Sequence, residues 1–553
     1  MPRRVATRAS GLGRAGTAPA SRAVAPPPTR QQQPSAARPP GRLLATVDIG
    51  SRALRLAIGE VVAGQPVKRL ESASVPMAVG IDTFSRGGIR AATTEDVVRT
   101  LEEFSRILAA YGLTPADCRA TATTAVRDAR NREVFLDRVT SRTGFRVEVI
   151  EAIEETRLVH QLVRHLLGAA FERGHVMLLA LGAGGTHVIV QQDGRLRLAE
   201  TLHFGLLRLA QGTAGDPITR RGARRFVDKV VRSIDRLHDL HDVDRLVVVN
   251  SELYRVAAAL GSPRRTPAGL SMTRAALRRL GQVLEQYSAR ELAEESGLDQ
   301  AAAELARLAF AELEAFCQPT RASHVVLPES SMLDSLLLDA RLRSEPQTEG
   351  VADQQQVTEA AAWAVARRYR TDELHAAKVR ALALELYDGL QPLLGLGPRS
   401  RLLLSVAAIL HEVGLFVSTH AHGQHSAYLI ANSEIMGLTG EELQRVALVA
   451  RHHRRADRGI ASLELGPLPA GQRVELLKLI SVLRLADALD ADQQQGVVQL
   501  TVQVEGEELR VRAATHRDDP EVFADLLRVF RDKGELFQDV FGLTPTLTEV
   551  LVA

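Results

Sequence analysis

The stretch Val47–Val61, VDIGSRALRLAIGEV, decides the fold. Two apolar runs are joined by a short segment that contains Asp48, Gly50 and Ser51. This pattern predicts two strands connected by a tight turn, because Asp and Gly are ordinary turn residues. The alternative interpretation is a phosphate-binding loop. In such a loop backbone N–H groups and the Ser51 hydroxyl face a phosphate, and Asp48 holds a cation.

A second stretch repeats this design further along the chain. In residues 179–194, LALGAGGTHVIVQQDG, an apolar run ends in a glycine-rich turn and a return run follows. Ala180 follows Asp48 by 132 residues (180 − 48). Two lobes with one glycine turn each can hold a phosphate chain between them, so the repeat favours the phosphate interpretation. The second turn exposes more backbone than a hairpin needs, and its residues are Gly182, Ala183, Gly184, Gly185 and Thr186.

The surrounding pattern predicts an α/β protein in its first part. Helical spacing of apolar residues predicts an amphipathic helix at 95–111, and strands and helices alternate around it. Apolar runs predict strands at 43–48, 55–62, 67–75, 119–126 and 145–150.

The second part of the sequence is mainly helical. A strand is predicted at 245–250, and the polar residues 343–357 are predicted to form a linker. The basic run RHHRRADR at 451–458 is typical of a solvated helix end, and a path for polyanions is the alternative. The end of the chain is predicted to contain a hairpin at 497–515, followed by helices at 520–534 and 535–542.

Composition argues against several classes of function. The chain has 553 residues, of which 45% are hydrophobic and 24% charged, as in a globular protein with several domains. Aromatic residues make up 4%, so specific nucleic-acid binding through base stacking is not expected. No run of about 18 apolar residues occurs, so no membrane span is expected. Cys118 and Cys317 form no CxxC pair, which is typical of a reducing cytoplasm.

Residues 1–42 differ from the rest of the chain. They contain eight arginines and no acid, so subtracting these charges from the total of +3 leaves about −5 on the remainder. The segment is rich in Pro, Ala, Gln and Ser, a composition that predicts a disordered tail. It lacks the apolar core of a secretory signal.

Several motifs, in this order, resemble the exopolyphosphatase / guanosine pentaphosphate phosphohydrolase (Ppx/GppA) family over residues 43–550. The resemblance implies two actin-like (ribonuclease H-like) lobes of the actin, hexokinase and heat-shock ATPase superfamily, then an all-α HD-like domain and a small α+β cap. The motifs include VDIGSRALRLAIGEV, ATTAVRDARNREVFLDRV, VEVIEAIEETRLV, LALGAGGTHVIV, HFGLLRLAQ and AAILHEVGL. The implied parts are a tail at 1–42, lobes at 43–165 and 166–342, a linker at 343–357, the HD-like domain at 358–494 and the cap at 495–553.

The resemblance also implies a mechanism. A terminal phosphoryl group would lie between the two glycine turns with Mg²⁺, and a glutamate would activate water for in-line attack. Glu155 falls on the catalytic base, Arg127 on the phosphate-clamping arginine and Asp48 on the metal-binding acid. The remaining phosphate-binding positions are Gly50, Ser51, Arg52, Gly182, Gly184, Gly185 and Thr186.

The sequence departs from the family pattern in the second turn. The family places acids where this chain has Ala180 and His187, so most negative charge of the metal site is lost. Mg²⁺ is normally bound through one or two carboxylates, so Asp48 can suffice, and Glu151 is a candidate substitute. Alternatively, Arg52 replaces the charge of the metal.

The helical domain raises a second question about metals. The resemblance to HD domains implies a site made of a His, a His-Asp pair and a later Asp. A His-Glu pair stands here in place of His-Asp, which favours packing roles over a working site. The candidate positions are His375, His411, Glu412 and Asp487.

The resulting expectation is a cytoplasmic, Mg²⁺-dependent phosphohydrolase that removes terminal phosphate from inorganic polyphosphate or guanosine pentaphosphate. The alternative is a catalytically impaired sensor of polyphosphate or guanosine tetra- or pentaphosphate, because Ala180 and His187 replace the acids. A kinase of the same superfamily is a third candidate, but no clear adenosine-binding segment is present. The family resemblance also suggests a homodimer.

Overall fold

A computed structural model describes residues 42–62, 65–213, 217–344, 349–454, 463–515 and 520–551. The predicted tail, apart from residue 42, lies outside these ranges. Among the described residues no helix is both long and apolar enough to cross a membrane.

The first sheet contains the stretch that opened the sequence analysis. Its five strands run in the order β3-β2-β1-β4-β5, with β1 antiparallel to β2 and parallel to β4. Apolar residues such as Val47 and Leu56 are fully buried, which confirms the predicted hairpin. The strands are β1 (Arg42–Ile49), β2 (Ala53–Val61), β3 (Lys68–Pro76), β4 (Cys118–Ala122) and β5 (Val147–Val149).

Six helices accompany this sheet in the described chain. The strand predicted at 119–126 is wrong after Ala122, because residues 124–127 form a helical turn in which the Val126 amide donates to the Thr123 carbonyl over 3.0 Å. The helices are α1 (Val79–Arg86), α2 (Ala91–Ala110), α3 (Thr124–Arg127), α4 (Arg132–Thr143), α5 (Ala152–Leu167) and α6 (Ala169–Glu172).

The second sheet has seven strands in the order β10-β11-β12-β9-β6-β7-β8. The strand predicted at 245–250 is confirmed, whereas the short hairpin of β10 and β11 was not predicted. The strands are β6 (His175–Leu181), β7 (Thr186–Gln192), β8 (Arg195–Leu202), β9 (Arg245–Val249), β10 (Arg264–Thr266), β11 (Gly269–Thr273) and β12 (His324–Leu327).

The two glycine hairpins are equivalent in register. In the first, Asp48 pairs with Arg55 and the Gly50 amide donates to the Ala53 carbonyl over 3.0 Å. In the second, Ala180 pairs with His187 and the Gly182 amide donates to the Gly185 carbonyl over 3.0 Å. All four positions are shifted by the same 132 residues (180 − 48 and 187 − 55, for example). The repeat predicted from the sequence is therefore a repeat of backbone geometry.

Helices of the second lobe cover its sheet, and the last of them returns to the first lobe. This helix, α13, packs on β1, β2 and α5. Its Asp339 is 2% exposed and accepts a hydrogen bond from the equally buried Arg157 of α5 at 2.7 Å. The helices are α7 (Leu206–Thr213), α8 (Pro217–His238), α9 (Ser251–Leu260), α10 (Arg274–Gln286), α11 (Ala289–Ser296), α12 (Gln300–Cys317) and α13 (Met332–Ser344).

A helical region at 349–488 follows. The linker predicted at 343–357 is wrong in part, because α14 begins at residue 349. The polar start of this helix leads into an apolar face with buried Ala361, Ala362 and Ala366. The helices are α14 (Glu349–Arg368), α15 (Glu373–Gly389), α16 (Gln391–Leu394), α17 (Pro398–Leu410), α18 (His422–Ala431), α19 (Gly440–Arg451) and α20 (Ala470–Ala488).

The C-terminal part is a three-stranded sheet with one helix. Strands β13 (Val497–Glu505) and β14 (Glu508–Thr515) form the predicted hairpin. The two predicted helices are one continuous helix, α21 (Pro520–Phe541), because Gly534 lies inside it against Pro545 rather than ending it. Strand β15 (Thr544–Leu551) pairs in parallel with β14 and was not predicted. Three short 3₁₀ turns, at 115–117, 240–242 and 413–416, complete the described elements.

Candidate functional site

A cleft of about 260 Å³ lies between the two glycine hairpins. Both turns contribute to its lining, together with Thr123 and Thr124 at the start of α3 and Glu155 and Val159 of α5. The structure therefore brings together most of the residues that the sequence predicted. These are Asp48, Gly50, Ser51, Arg52, Glu155, Gly182, Gly184 and Gly185.

Glu155 is held rigidly in this cleft, in the first turn of α5. It is 7% exposed, and its Oε1 accepts a hydrogen bond from Arg127 Nη1 at 2.9 Å. Its Oε2 lies 3.8 Å from His187 Nε2. Burial favours the neutral carboxyl, but the contacts with His187 and Arg127 outweigh it and lower the pKa of Glu155 below its ordinary value. The side chain is thus an ionised carboxylate with a fixed orientation.

Arg127 supports Glu155 and does not line the cleft formed by the described residues. Besides Glu155, its guanidinium donates to the Ile150 carbonyl at 2.6 Å and to Thr124 Oγ1 at 3.0 Å. Three acceptors occupy its planar fork, which leaves little of it for a phosphate. The structure therefore shows a positioning contact for Arg127, and the phosphate clamp stays a prediction.

Asp48 is the second carboxylate of the cleft. It is 1% exposed, and Arg55 donates from Nη1 to its Oδ2 over 3.1 Å. No donor in the described part of the chain lies within hydrogen-bond distance of its Oδ1. Burial raises the pKa of Asp48, and the Arg55 charge opposes this shift. A buried carboxylate oxygen without a partner fits a cation ligand, so the predicted role of Asp48 is compatible with the structure.

Arg52 reaches across the cleft from the first turn. Its guanidinium contacts Glu252 Oε1 at 3.2 Å and Asp299 at 3.4 Å, and its side chain is 20% exposed. Two acids of the second lobe therefore neutralise the arginine that was predicted to bind phosphate. The pairs are partly exposed, and such pairs contribute little to stability, so an anion can compete for the guanidinium.

The second turn carries no acid at the two positions where the family has one. Ala180 is apolar, and His187 Nδ1 is hydrogen-bonded to Thr156 Oγ1 at 2.7 Å, which ties β7 to α5. Glu151, the candidate substitute, is exposed before the first turn of α5 and lies outside the described cleft lining. The structure gives no support to Glu151 as a metal ligand in this cleft.

Gly184 allows the close approach of the two lobes. A Cβ atom at this position would lie 2.6 Å from Thr124 Cβ, so any side chain would force the second turn away from α3. Thr186, by contrast, is fully buried, and its hydroxyl lies outside the lining that the described residues form. Thr186, predicted as a phosphate-binding position, therefore does not line the cleft.

Sequence reasoning missed two residues of the cleft. Arg55 could have been found by counting, because a hairpin that turns at residues 50–53 places Arg55 opposite Asp48. Asn250 begins α9, where its Oδ1 accepts from the Leu253 amide at 2.7 Å. Its Nδ2 donates to the Leu181 carbonyl at 2.7 Å, which fixes the strand that precedes the second turn. The sequence can predict only the capping role of Asn250, because Asn is a common first residue of a helix.

The four HD-like positions also meet in space. His375, His411 and Asp487 are buried, and their ligand atoms lie within 4.8 Å of one another. Glu412 Oε2 lies 3.7 Å from His375 Nε2. His453 is 1% exposed, so the prediction of a solvated helix end at 451–458 is wrong at this residue, and residues 455–458 lie outside the described ranges.

The fold and the cleft define a two-lobed α/β protein whose equivalent glycine turns face one carboxylate-bearing cleft. The Ppx/GppA phosphatase family model matches residues 65–303, and the model of Ppx/GppA phosphatase domain III matches residues 357–519. The chain belongs to the Ppx/GppA phosphatase family.

Individual relatives are distant. The guanosine-5'-triphosphate,3'-diphosphate pyrophosphatase of Aeromonas hydrophila is 26% identical, over 82% of this chain and 89% of that protein. Exopolyphosphatase 1 of Mycobacterium leprae is 27% identical, over 46% of this chain and 76% of that protein. Among solved structures, an exopolyphosphatase from Cytophaga hutchinsonii is 17% identical with a TM-score of 0.48, and covers 56% of this chain and 100% of that one.

Proposed function

We propose that this protein is a phosphohydrolase that removes terminal phosphate from inorganic polyphosphate or from guanosine pentaphosphate. The observation that carries the proposal is Glu155, an ionised, buried carboxylate fixed by Arg127 in the cleft between the two glycine turns. The names of the relatives, an exopolyphosphatase and a guanosine pentaphosphate-type pyrophosphatase, support both substrate classes.

Binding would rest on the two turns. Ser51 on one side and Ala183, Gly184 and Gly185 on the other would offer backbone amides to phosphate oxygens, whereas the Gly50 and Gly182 amides close their own hairpins. Arg52 is partly exposed at the same cleft and would exchange its carboxylate partners for phosphate oxygens. The neutral glycines let the backbone approach the anion closely.

Glu155 would act as the general base. Its carboxylate takes a proton from water as the water oxygen attacks the terminal phosphorus, and the bridging P–O bond breaks to release orthophosphate and a shortened chain. A base with a lowered pKa is ionised over a wide pH range but is a weaker proton acceptor, so positioning contributes more than basicity. Mg²⁺ bound through Asp48 would neutralise charge on the substrate oxygens.

A second candidate function is binding without turnover. The observation that favours it is the second turn, where Ala180 and His187 supply no carboxylate and Asp48 is already paired with Arg55. A cleft with this charge balance can hold a polyanion and yet fail to assemble the metal needed for hydrolysis. Such a protein would sense polyphosphate or a guanosine polyphosphate in the cytoplasm.

The test is phosphate release from long-chain polyphosphate and from guanosine pentaphosphate, with and without Mg²⁺. Hydrolysis predicts release by the intact protein that falls at least about 100-fold in Glu155→Gln, which removes the base and keeps the shape. Glu133→Gln, an exposed glutamate on α4, is the matched control and should release phosphate normally.

Polyphosphate binding, measured separately by calorimetry, distinguishes the two candidates. Binding by the intact protein and by Glu155→Gln, with no release by either, supports the second candidate. Absence of both binding and release would contradict both.

A further inference from the structure

Four histidines of the helical region at 349–488 direct the same ring nitrogen toward one another. His375 begins α15, His411 follows α17, His422 begins α18 and His453 follows α19. All four are buried, at 4% exposure or less. Between His411 and His453 in sequence lie 41 residues (453 − 411 − 1), so only the packing of the helices brings these rings together.

In three of these histidines a hydrogen bond fixes the other ring nitrogen, Nδ1. His411 Nδ1 donates to the Ala408 carbonyl at 2.8 Å, and His453 Nδ1 donates to the Ala450 carbonyl at 2.6 Å. His375 Nδ1 donates to Asp490 Oδ2 at 2.8 Å. With Nδ1 protonated, the Nε2 atom of a neutral imidazole carries a lone pair, and these lone pairs face the centre of the cluster.

The facing ring nitrogens are close enough to require either a shared proton or a bound cation between them. His411 Nε2 lies 3.3 Å from His375 Nε2, and Asp487 Oδ1 lies 3.6 Å from each of them. Ligands at about 2.1 Å from a tetrahedral ion lie roughly 3.4 Å apart, which matches this triangle. The ligand atoms of His375, His411 and Asp487 therefore have the spacing of three ligands around one metal ion.

A second triad adjoins the first. Glu412, His422 and His453 also offer ligand atoms within 4.8 Å of one another, and His422 Nε2 lies 3.0 Å from His453 Nε2. Glu412 Oε2 is 3.7 Å from His375 Nε2 as well, so this carboxylate lies between the two triads. Two ions at such a site would share Glu412 as a bridge, the arrangement of two-metal centres.

We infer that the helical region binds two divalent first-row transition-metal ions, one at His375, His411 and Asp487 and one at Glu412, His422 and His453. Imidazole ligands favour Zn²⁺, Fe²⁺ or a similar ion over Mg²⁺ and Ca²⁺, which prefer oxygen ligands. This site is separate from the Mg²⁺ proposed for the cleft, and neither inference depends on the other.

The surroundings of the cluster are those of a metal site. Asp490 orients His375 and itself accepts a hydrogen bond from the Gln495 amide at 2.7 Å. Lys533 of α21 holds Asp487 by Oδ2, which leaves Oδ1 for the ion. Such outer contacts fix the ring orientation and the tautomer of ligating histidines. The competing arrangement is a metal-free network in which protonated imidazole supplies the positive charge.

The experiment is elemental analysis of the full chain, purified without chelator from medium supplemented with zinc, iron and manganese. We expect about two transition-metal ions per chain. Chelation should lower the melting temperature, and titration of the stripped protein with Zn²⁺ alone should restore it at two equivalents. This measurement needs no variant.

Variants assign each ion to its triad. His453→Asn should retain about one ion per chain and His411→Asn at most one, whereas His160→Asn, a buried histidine outside the cluster, should retain two. Circular dichroism establishes that each variant is folded. A metal content near zero in the intact chain, with a melting temperature insensitive to chelator, would overturn the site in favour of the protonated network. A single ion that survives in His453→Asn and is lost in His411→Asn would overturn the second triad.

Discussion

The cleft and the histidine cluster place buried carboxylates in opposite surroundings. In the cleft, Asp48 is paired with Arg55 and Glu155 with Arg127, so each acid already faces a permanent cation. In the cluster, Asp487 and Glu412 face imidazole nitrogens, although Lys533 holds one oxygen of Asp487. Guanidinium groups stay protonated, whereas an imidazole can lose its proton and bind a metal ion as a neutral ligand.

This difference shows that the partner of a buried carboxylate decides what the carboxylate can bind. An acid neutralised by arginine offers a metal ion less negative charge, and only an oxygen outside the pair, such as Asp48 Oδ1, can still act as a ligand. An acid among imidazoles is neutralised either by a bound cation or by protonation of a ring. Two further buried carboxylates differ even more in their partners. Asp339 has three arginine partners and Glu312 has none in the described ranges.

The largest effect is expected for Asp339, the buried carboxylate with three arginine partners. Asp339→Ala removes the α13 partner of Arg157, which is 2% exposed and keeps only Glu154 as an acidic partner within the described chain, and losing one member of a buried ionic network costs up to about 3–5 kcal/mol of unfolding free energy. Urea denaturation measures the change. Asp388→Ala, which breaks the exposed pair with Arg401, is the control and should cost less than about 1 kcal/mol. Equal effects of the two variants would contradict the account.

Glu312, the buried carboxylate without an arginine partner, predicts that the stability of the protein depends on pH. Glu312 is 1% exposed and has no ionic partner among the described residues, and burial raises its pKa to about 8 because the nearby Thr186 hydroxyl opposes this shift only weakly. Its pKa in the unfolded chain is near 4.5, so the folded state binds the extra proton between these values. The Glu312 contribution to stability is therefore greatest below pH 4.5 and is lost as the pH rises toward 8, by at most about 1.4 kcal/mol per pH unit.

Glu312→Gln removes this titration without changing the shape of the side chain. Relative to the intact protein, the variant should gain unfolding free energy steadily from pH 5 to pH 8, up to about 4 kcal/mol. Denaturation midpoints at several pH values measure the difference. Glu133→Gln, which is exposed, should show no such trend, and a constant difference for Glu312→Gln would show that the buried carboxyl is not neutral.

In the cleft, Arg127→Met isolates the effect of the arginine on Glu155. Methionine keeps much of the length and removes both the charge and the hydrogen bond at 2.9 Å, so the pKa of Glu155 should rise. The acid limb of the pH profile for phosphate release should move to higher pH, and the rate should fall by about 100-fold. Arg132→Met, on the exposed start of α4, is the control. A reduced affinity for polyphosphate with an unchanged pH profile would instead support the phosphate clamp predicted from the sequence.

The sequence predicted those parts of the molecule that depend on local pattern. The two glycine hairpins and their 132-residue repeat follow from apolar runs and turn residues, and their register follows from turn length. Strand β15 is different, because its parallel pairing with β14 is made across the intervening helix α21. The linker prediction was wrong for a related reason: polar composition indicated exposure, but α14 buries an alanine face that only tertiary packing reveals.

The residues of the candidate sites were likewise predictable only where a local sequence motif contains them. Asp48, Glu155 and the glycines were found through motifs, and Arg55 was within reach by counting the hairpin register. His422 and His453 could not be connected with His375, because their contacts depend on how four helices pack. The neighbours of His453 in sequence are basic, so an exposed position was predicted, whereas the residue is 1% exposed.

The smallest effect is expected from adding to the cleft the two acids that its second turn lacks. Ala180→Asp combined with His187→Glu adds two carboxylates to the second turn, opposite each other in register as Asp48 and Arg55 are in the first. Added acid ligands strengthen Mg²⁺ binding, so Mg²⁺-dependent phosphate release should rise by about tenfold and saturate at lower Mg²⁺. Release measured against Mg²⁺ concentration tests this, with His187→Gln as the control that removes the imidazole without adding charge. No gain in the double variant would mean that Arg55 and Arg127, and not the missing acids, limit metal binding in the cleft.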